Sequence, residues 1–129
     1  MSLIFYGKVS NPNARNILSR IRAIVSKDGP ELFKTIPSFV KRLRQLNNKP
    51  AAAILFVEDT NELRKLITFE DLLTDLPIIL ILSDRNEDSI ALGHSLYPRI
   101  LTYADVDHSE FTEVVKKFIA HYAADRNII

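Results

Sequence analysis

The chain has 129 residues, 47% of them hydrophobic, with no cysteine and 17 Lys/Arg against 16 Asp/Glu for a net charge of +1. A chain of roughly 130 residues buries about two thirds of its unfolded surface, so one domain needs no disulfide or metal, and the missing cysteines exclude thiol catalysis, Fe–S clusters and cysteine-bound zinc. The longest apolar run, Ala51 to Val57, falls far short of the ~20 residues of a membrane span, no signal-peptide pattern opens the chain, and the expected location is the cytoplasm.

Leu3 to Tyr6 reads as a short apolar strand, and Ser10-Asn11-Pro12 supplies a polar cap with proline in a first helical turn. Ala14, Ile17, Leu18, Ile21, Ile24 and Val25 then recur at steps of three and four. That spacing predicts an amphipathic helix with Arg15, Arg20, Arg22 and Lys27 off its apolar stripe, ended by Asp28-Gly29-Pro30. Leu32 to Ile36 is a weaker strand candidate. From Ser38 the spacing of Phe39, Val40, Leu43 and Leu46 restores the helical period, with Lys41, Arg42 and Arg44 outside, up to Asn47-Asn48-Lys49-Pro50.

Ala51 to Val57 and Ile78 to Leu82 are apolar at every position, as strands buried on both faces must be. Between them one helical stretch carries Leu63, Leu66, Ile67, Phe69, Leu72 and Leu73. It stops at Asp75-Leu76-Pro77, because proline disfavours a helical residue before it. A fourth helix over Glu87 to Leu96 is broken by Pro98, and Ile100 to Tyr103 makes the last strand. Phe111, Val114, Val115, Phe118, Ile119 and Tyr122 form the apolar face of a last helix capped by Asp107 or Ser109. Five strands alternating with five helices predict a three-layer α/β sandwich around a parallel five-stranded sheet, a flavodoxin-like (βα)5 fold of order 2-1-3-4-5. Residues 1–129 read as a single domain, and the opening Met1-Ser2-Leu3 and apolar ending Asn127-Ile128-Ile129 are compatible with excision from a longer protein.

In such a sheet, ligands bind outside the carboxyl ends of the strands. Those ends carry Gly7-Lys8-Val9-Ser10-Asn11, Glu58-Asp59-Thr60, Ser83-Asp84-Arg85 and Tyr103-Ala104-Asp105. Over nearly its whole length the chain resembles the CheY-like receiver domains of two-component response regulators. The likeness lies in the five-unit order, Pro12 after the first strand, Leu76 to Ser83 ending in a hydroxyl residue, Ala91-Leu92-Gly93 and the final amphipathic helix. It implies a site of five groups. Two acidic residues after the first strand hold Mg2+, an Asp ending the third accepts a phosphoryl group, and a Ser/Thr and a Lys follow the fourth and fifth.

Against that pattern the chain is degenerate. Its first 27 residues contain no Asp or Glu, so the acidic pair matches Val9 and Ser10 or their neighbours. The lysine position falls at Tyr103 to Asp105, none of them basic. The acceptor falls on Glu58, which is not an aspartyl acceptor, or on Asp59, which can attack but lacks its assistants. Ser83 matches approximately, one residue further from Pro77 than is usual. The implied reading is a pseudo-receiver with degenerate site positions Glu58, Asp59, Ser83 and Tyr103, without catalysis or cofactor. It would act by binding another signalling protein or an attached output domain, or by forming a homodimer. The alternative is an atypical phosphorylatable receiver using Asp59, with Mg2+ held by Asp84 or Asp105.

Receivers meet partners through the fourth helix, fifth strand and last helix, which assigns Tyr97, Ile100, Tyr103 and Phe111 to an interaction face. Charge suggests a second surface. Residues 1–50 hold ten Lys/Arg against Asp28 and Glu31, a net +8, whereas residues 51–129 hold seven against fourteen acids, a net −7. The basic side chains of the first two helices thus suit an acidic partner or the acidic half of a second copy. Few aromatics interleave with them, so nucleic acid is disfavoured. The plain alternative to a metal site is that Glu58, Asp59, Asp84 and Asp105 cap helices. His94, His108 and His121 are too scattered for a metal pattern. With only Gly7, Gly29 and Gly93 and no Gly-x-Gly, Walker or nucleophile-elbow motif, flavin, nucleotide or hydrolase chemistry is not indicated.

Overall fold

Successive side chains of a strand point to opposite faces of a sheet, and here both sets are apolar. The computed structural model describes residues 3–25 and 29–123. Lys27, Asp28, Met1-Ser2 and the ending Asn127-Ile128-Ile129 lie outside them. Strands β1 (Leu3–Tyr6), β2 (Glu31–Phe33), β3 (Ala52–Val57), β4 (Ile78–Leu82) and β5 (Ile100–Tyr103) form one sheet of order β2-β1-β3-β4-β5. Every neighbouring pair is parallel.

Leu3, Phe5, Ile54, Phe56, Ile79 and Ile81 pack against α1 (Pro12–Ile24) and α6 (His108–Tyr122) on one face. Ile4, Tyr6, Leu55, Val57, Leu80 and Leu82 belong to the other face. That face is covered by α2 (Ile36–Leu43), α3 (Thr60–Ile67), the single turn α4 (Glu70–Leu73) and α5 (Glu87–His94). The three-layer sandwich is thus the expected one, with strands buried on both sides. Among the described residues no helix is long and apolar enough to cross a membrane.

Local chemistry moves several expected boundaries. The second strand ends at Phe33 instead of Ile36 because Thr35 starts α2, its Oγ1 accepting the Ser38 N–H at 3.2 Å. That helix ends at Leu43, capped by Arg44, so Leu46 leaves the apolar stripe and is 85% exposed. The single helix expected between β3 and β4 is two. Thr68 Oγ1 donates to the Lys65 carbonyl at 2.6 Å, and Phe69 leaves helical geometry at ψ 24°. The fourth predicted helix, α5, stops at His94 with Ser95 as its cap.

The basic surface attributed jointly to the first two helices is also corrected. α1 and α2 lie on opposite faces of the sheet. Arg42 is buried in a two-point pair with Glu31, its Nε and Nη2 donating at 3.1 and 3.2 Å, and so is unavailable to a partner.

α5 approaches the sheet closely where it carries Gly93. A Cβ there would lie 3.0 Å from both Leu80 Cδ2 and Leu101 Cδ1, while buried Ser89 shares a 2.7 Å hydrogen bond with Thr60 that ties α5 to α3. Gly93→Val should therefore destabilise the domain by about 2 kcal/mol through overpacking. Gly93→Ala should be near neutral, because its helix propensity, better by about 1 kcal/mol, offsets the tighter contact. Urea denaturation of the two variants checks this ordering.

Candidate functional site

The carboxyl ends of β1 and β3 meet around one buried carboxylate. Asp59 is the N-cap of α3, its Oδ1 accepting the Glu62 N–H at 2.8 Å, which places Glu62 in the first turn. In a capping box the acid three residues on reaches back toward the cap. Glu62 reaches one residue further and accepts the Glu58 N–H at 2.7 Å. Its other oxygen accepts the Tyr6 hydroxyl at 2.7 Å, and the side chain is 5% exposed.

Lys8, two residues past β1, completes the cluster. Its ammonium stands 3.7 Å from Glu62 Oε2 and 3.4 Å from Glu58 Oε1, and Asn11 Nδ2 donates to Glu58 Oε2 at 2.9 Å. One half-exposed cation of the chain is thus shared by two carboxylates. Glu62, and then the hydrogen bond to Glu58, hold the Lys8 ammonium above its ordinary pKa. Burial, then the hydrogen bond to Glu62 and its charge, push the Tyr6 hydroxyl far above the tyrosine range. Lys8, Tyr6 and Glu62 were missed by sequence reasoning. The Asp59-x-x-Glu62 spacing was the one local signal, and Lys8 and Tyr6 join only when β1 and β3 pair.

The predicted site positions are occupied by other work. Glu58 lies beyond the end of β3 inside the cluster, whereas Asp59 is exposed and engaged as a cap. Ser83 Oγ donates to the Val57 carbonyl at 2.7 Å, fastening β4 to β3. Tyr103 is half-buried beneath Arg85, whose guanidinium carbon lies 4.3 Å from the ring centroid. Arg85 pairs with Asp105 at 2.8 Å, and this hydrogen bond holds Asp105 below the usual carboxylate range. Asp84 accepts the Asn86 N–H at 2.9 Å, and Asn86, not Asp84, caps α5. Asp59, Asp84 and Asp105, the alternative Mg2+ set, are not gathered. Among the described residues no group of three or more His, Asp or Glu side chains is placed to hold a metal ion.

On the expected interaction face, Tyr97 is 82% exposed and Ile100 and Tyr103 are half-buried. Phe111 is a correction. It is 1% exposed, because the first turn of α6 directs it into the core beside Val115 and Phe118. His121 is exposed and meets the Tyr122 ring edge-on at 4.4 Å.

Tyr6→Phe tests the cluster. Removing the hydroxyl leaves Glu62 one donor short and should cost about 1 to 3 kcal/mol at neutral pH. Unfolded Tyr6 loses its proton above pH ~10 while the folded residue keeps it. Its contribution is therefore complete below that pH and is lost as pH rises. In Tyr6→Phe this decline disappears, flattening the alkaline slope of stability by up to about 1.4 kcal/mol per pH unit. Denaturant titrations at neutral pH and in steps above pH ~10 read both effects.

No family model and no curated protein matches the chain. Solved structures do. The phosphorylated cyanobacterial phytochrome response regulator RcpA is 17% identical over 95% of this chain and 94% of its own, with a TM-score of 0.61. A protein from Burkholderia pseudomallei described as pilus assembly-related is 14% identical over 96% and 93%, with a TM-score of 0.66. The Mn2+-bound response regulator Rcp1 is 14% identical over 93% of each chain, with a TM-score of 0.59. Sheet order, helix placement and these neighbours together give the chain the receiver fold of response regulators.

Proposed function

We propose that this chain is a receiver-like signalling domain that is not switched by aspartyl phosphorylation and works by binding protein partners. The observation that carries the reading is the Lys8 ammonium held between Glu58 and Glu62. Phosphoryl transfer to a carboxylate concentrates negative charge, which a hard divalent cation and a free basic group must offset. In this cleft the cation belongs to the chain and is already balanced by two carboxylates. Tyr103 brings no charge where the family pattern has lysine, and the one Asp nearby is occupied in starting α3. RcpA was solved phosphorylated and Rcp1 with Mn2+; this sequence supplies no acidic pair after β1 and, among the described residues, no gathered ligand set.

With the cleft fixed, recognition falls to the surface of α5, β5 and α6. Tyr97 lies just past α5 at φ 51° with its ring in solvent. A bulky side chain in the left-handed region costs stability, of order 1 kcal/mol, so a contact role accounts for its presence better than packing does. Ile100 and Tyr103 lie on the edge strand β5, Ile100 on the side of α6 and Tyr103 on the side of α5. The partner class is another signalling protein, an attached output domain or a second copy.

Two experiments test this reading. In two-dimensional amide NMR, Mg2+ with beryllofluoride should leave Glu58 to Thr60, Ser83 to Arg85 and Tyr103 to Asp105 unshifted. Lys8→Asp, which replaces the chain's own cation by a third carboxylate, should gain Mn2+ binding at about millimolar affinity, read as paramagnetic broadening of the same amides. Saturable shifts in the unmodified chain that Asp59→Asn abolishes would establish the phosphorylatable alternative. Separately, Tyr97→Gly should raise stability by about 0.5 to 1 kcal/mol in thermal unfolding, whereas unchanged or lower stability would remove the argument from backbone strain.

A further inference from the structure

Three hollows on the α2, α3 and α4 side of the sheet adjoin. Ile36, Pro37 and Phe69 line the first two, of about 650 and 370 Å³, and Arg44 lines both the second and a third of about 390 Å³. Joined, they make one groove from Lys8, beyond the carboxyl end of β1, to Pro50 and Leu76, which precede β3 and β4. It exists because α2 stops at Leu43 and the next helix breaks at Thr68-Phe69. The floor is apolar, formed by Ile36, Val40, Leu43, Phe69 and Leu72.

Its rim is basic. Lys34, Lys41 and Lys65 are exposed, and none has a carboxylate partner among the described residues. Arg44 lies 6.0 Å from the Phe69 ring centroid. The acids of the first two hollows, Asp59 and Glu62, are already committed to the α3 cap and to Tyr6 and Lys8. Asp71 and Asp75 stand only in the third hollow.

We infer that this groove docks an amphipathic helix of a partner protein, with its apolar stripe on Ile36, Val40 and Phe69 and its carboxylates toward Lys34, Lys41 and Lys65. The six-residue strand β3 beneath spans about 20 Å, which matches a helix of about 14 residues. Apolar anchors at i, i+3, i+4 and i+7 suit such a floor. A small anion would meet the lysines and leave the floor wet. A second copy is a poorer occupant, since α3 and α6 bury their apolar stripes in the core and the charges that α3 exposes, Arg64 and Lys65, are basic like the rim. The groove is separate from the surface around Tyr97, although Tyr6, Lys8 and Glu62 of the cluster line its first hollow.

The test is fluorescence polarisation with a labelled helical peptide of about 14 residues, carrying leucines at helical spacing, glutamates along its first half and lysines at its end. Binding should be about tenfold tighter than for the charge-mirrored peptide and should weaken about tenfold between low and moderate salt. Lys34→Glu/Lys65→Glu, both surface changes, should lose about tenfold in affinity while keeping the amide spectrum of the folded chain. The NMR footprint should cover Ile36, Val40, Phe69 and Leu72. Equal affinity for both peptides, no binding at millimolar concentration, a footprint on β5 and α6, or an unliganded chain whose doubled mass covers the same amides would each overturn the inference.

Discussion

A carboxylate withdrawn from water is tolerated only when its oxygens are met by donors and its charge by a cation, and the placement of Glu62 follows from that constraint. Three groups answer it, drawn from two stretches of chain: the Tyr6 hydroxyl and Lys8 ammonium at the end of β1 and the Glu58 amide just past β3, while the first turn of α3 carries the side chain itself. β1 and β3 pair along their length, but the pairing alone leaves the loops above free to take many courses. The cluster selects one, in which the β1 loop leans over the start of α3.

The charge asymmetry along the chain takes on structural meaning in the same region. Several acids of the second half lie where helices begin at the carboxyl edge of the sheet. Asp59 and Asp107 accept amides of the first turns of α3 and α6, and Glu87 and Asp88 lie in the first turn of α5 behind Asn86. There the positive ends of the helix dipoles favour negative charge. Lys41 and Arg42 correspondingly close α2, and Arg22 lies in the last turn of α1. Much of the apparent bipolarity is thus helix-end chemistry. Lys34, Lys41 and Lys65, around the groove beside α2, are among the cations that have no carboxylate partner among the described residues.

The layered architecture was legible because its causes are local. Ile78 to Leu82 and Ile100 to Tyr103 coincide with strands, the third strand differs by one residue, and helical spacing located α1 and α6. What escaped was governed by distant contacts. Nothing near Glu62 marks it as buried, since its partner Tyr6 lies 56 residues away. Phe111 fits an amphipathic stripe and an exposed face equally well until α6 docks on α1. Leu46 continues the helical period of α2, but the backbone turns away two residues before it. Asp84 and Asp105 sit at neighbouring strand ends, where proximity suggested a shared ligand, and side-chain geometry gave each a separate partner.

An ammonium built into the chain differs from a bound metal in its supply. Lys8 is present once per molecule at an effective concentration set by the few bonds that tether it to β1. Chelators and fluctuations in free divalent ions therefore leave the electrostatics at the end of β3 unchanged. Nor can this counterion be exchanged for another of different charge or radius; because the Lys8 side chain is half exposed, added salt weakens its pairing with the two carboxylates but does not remove it from the cleft.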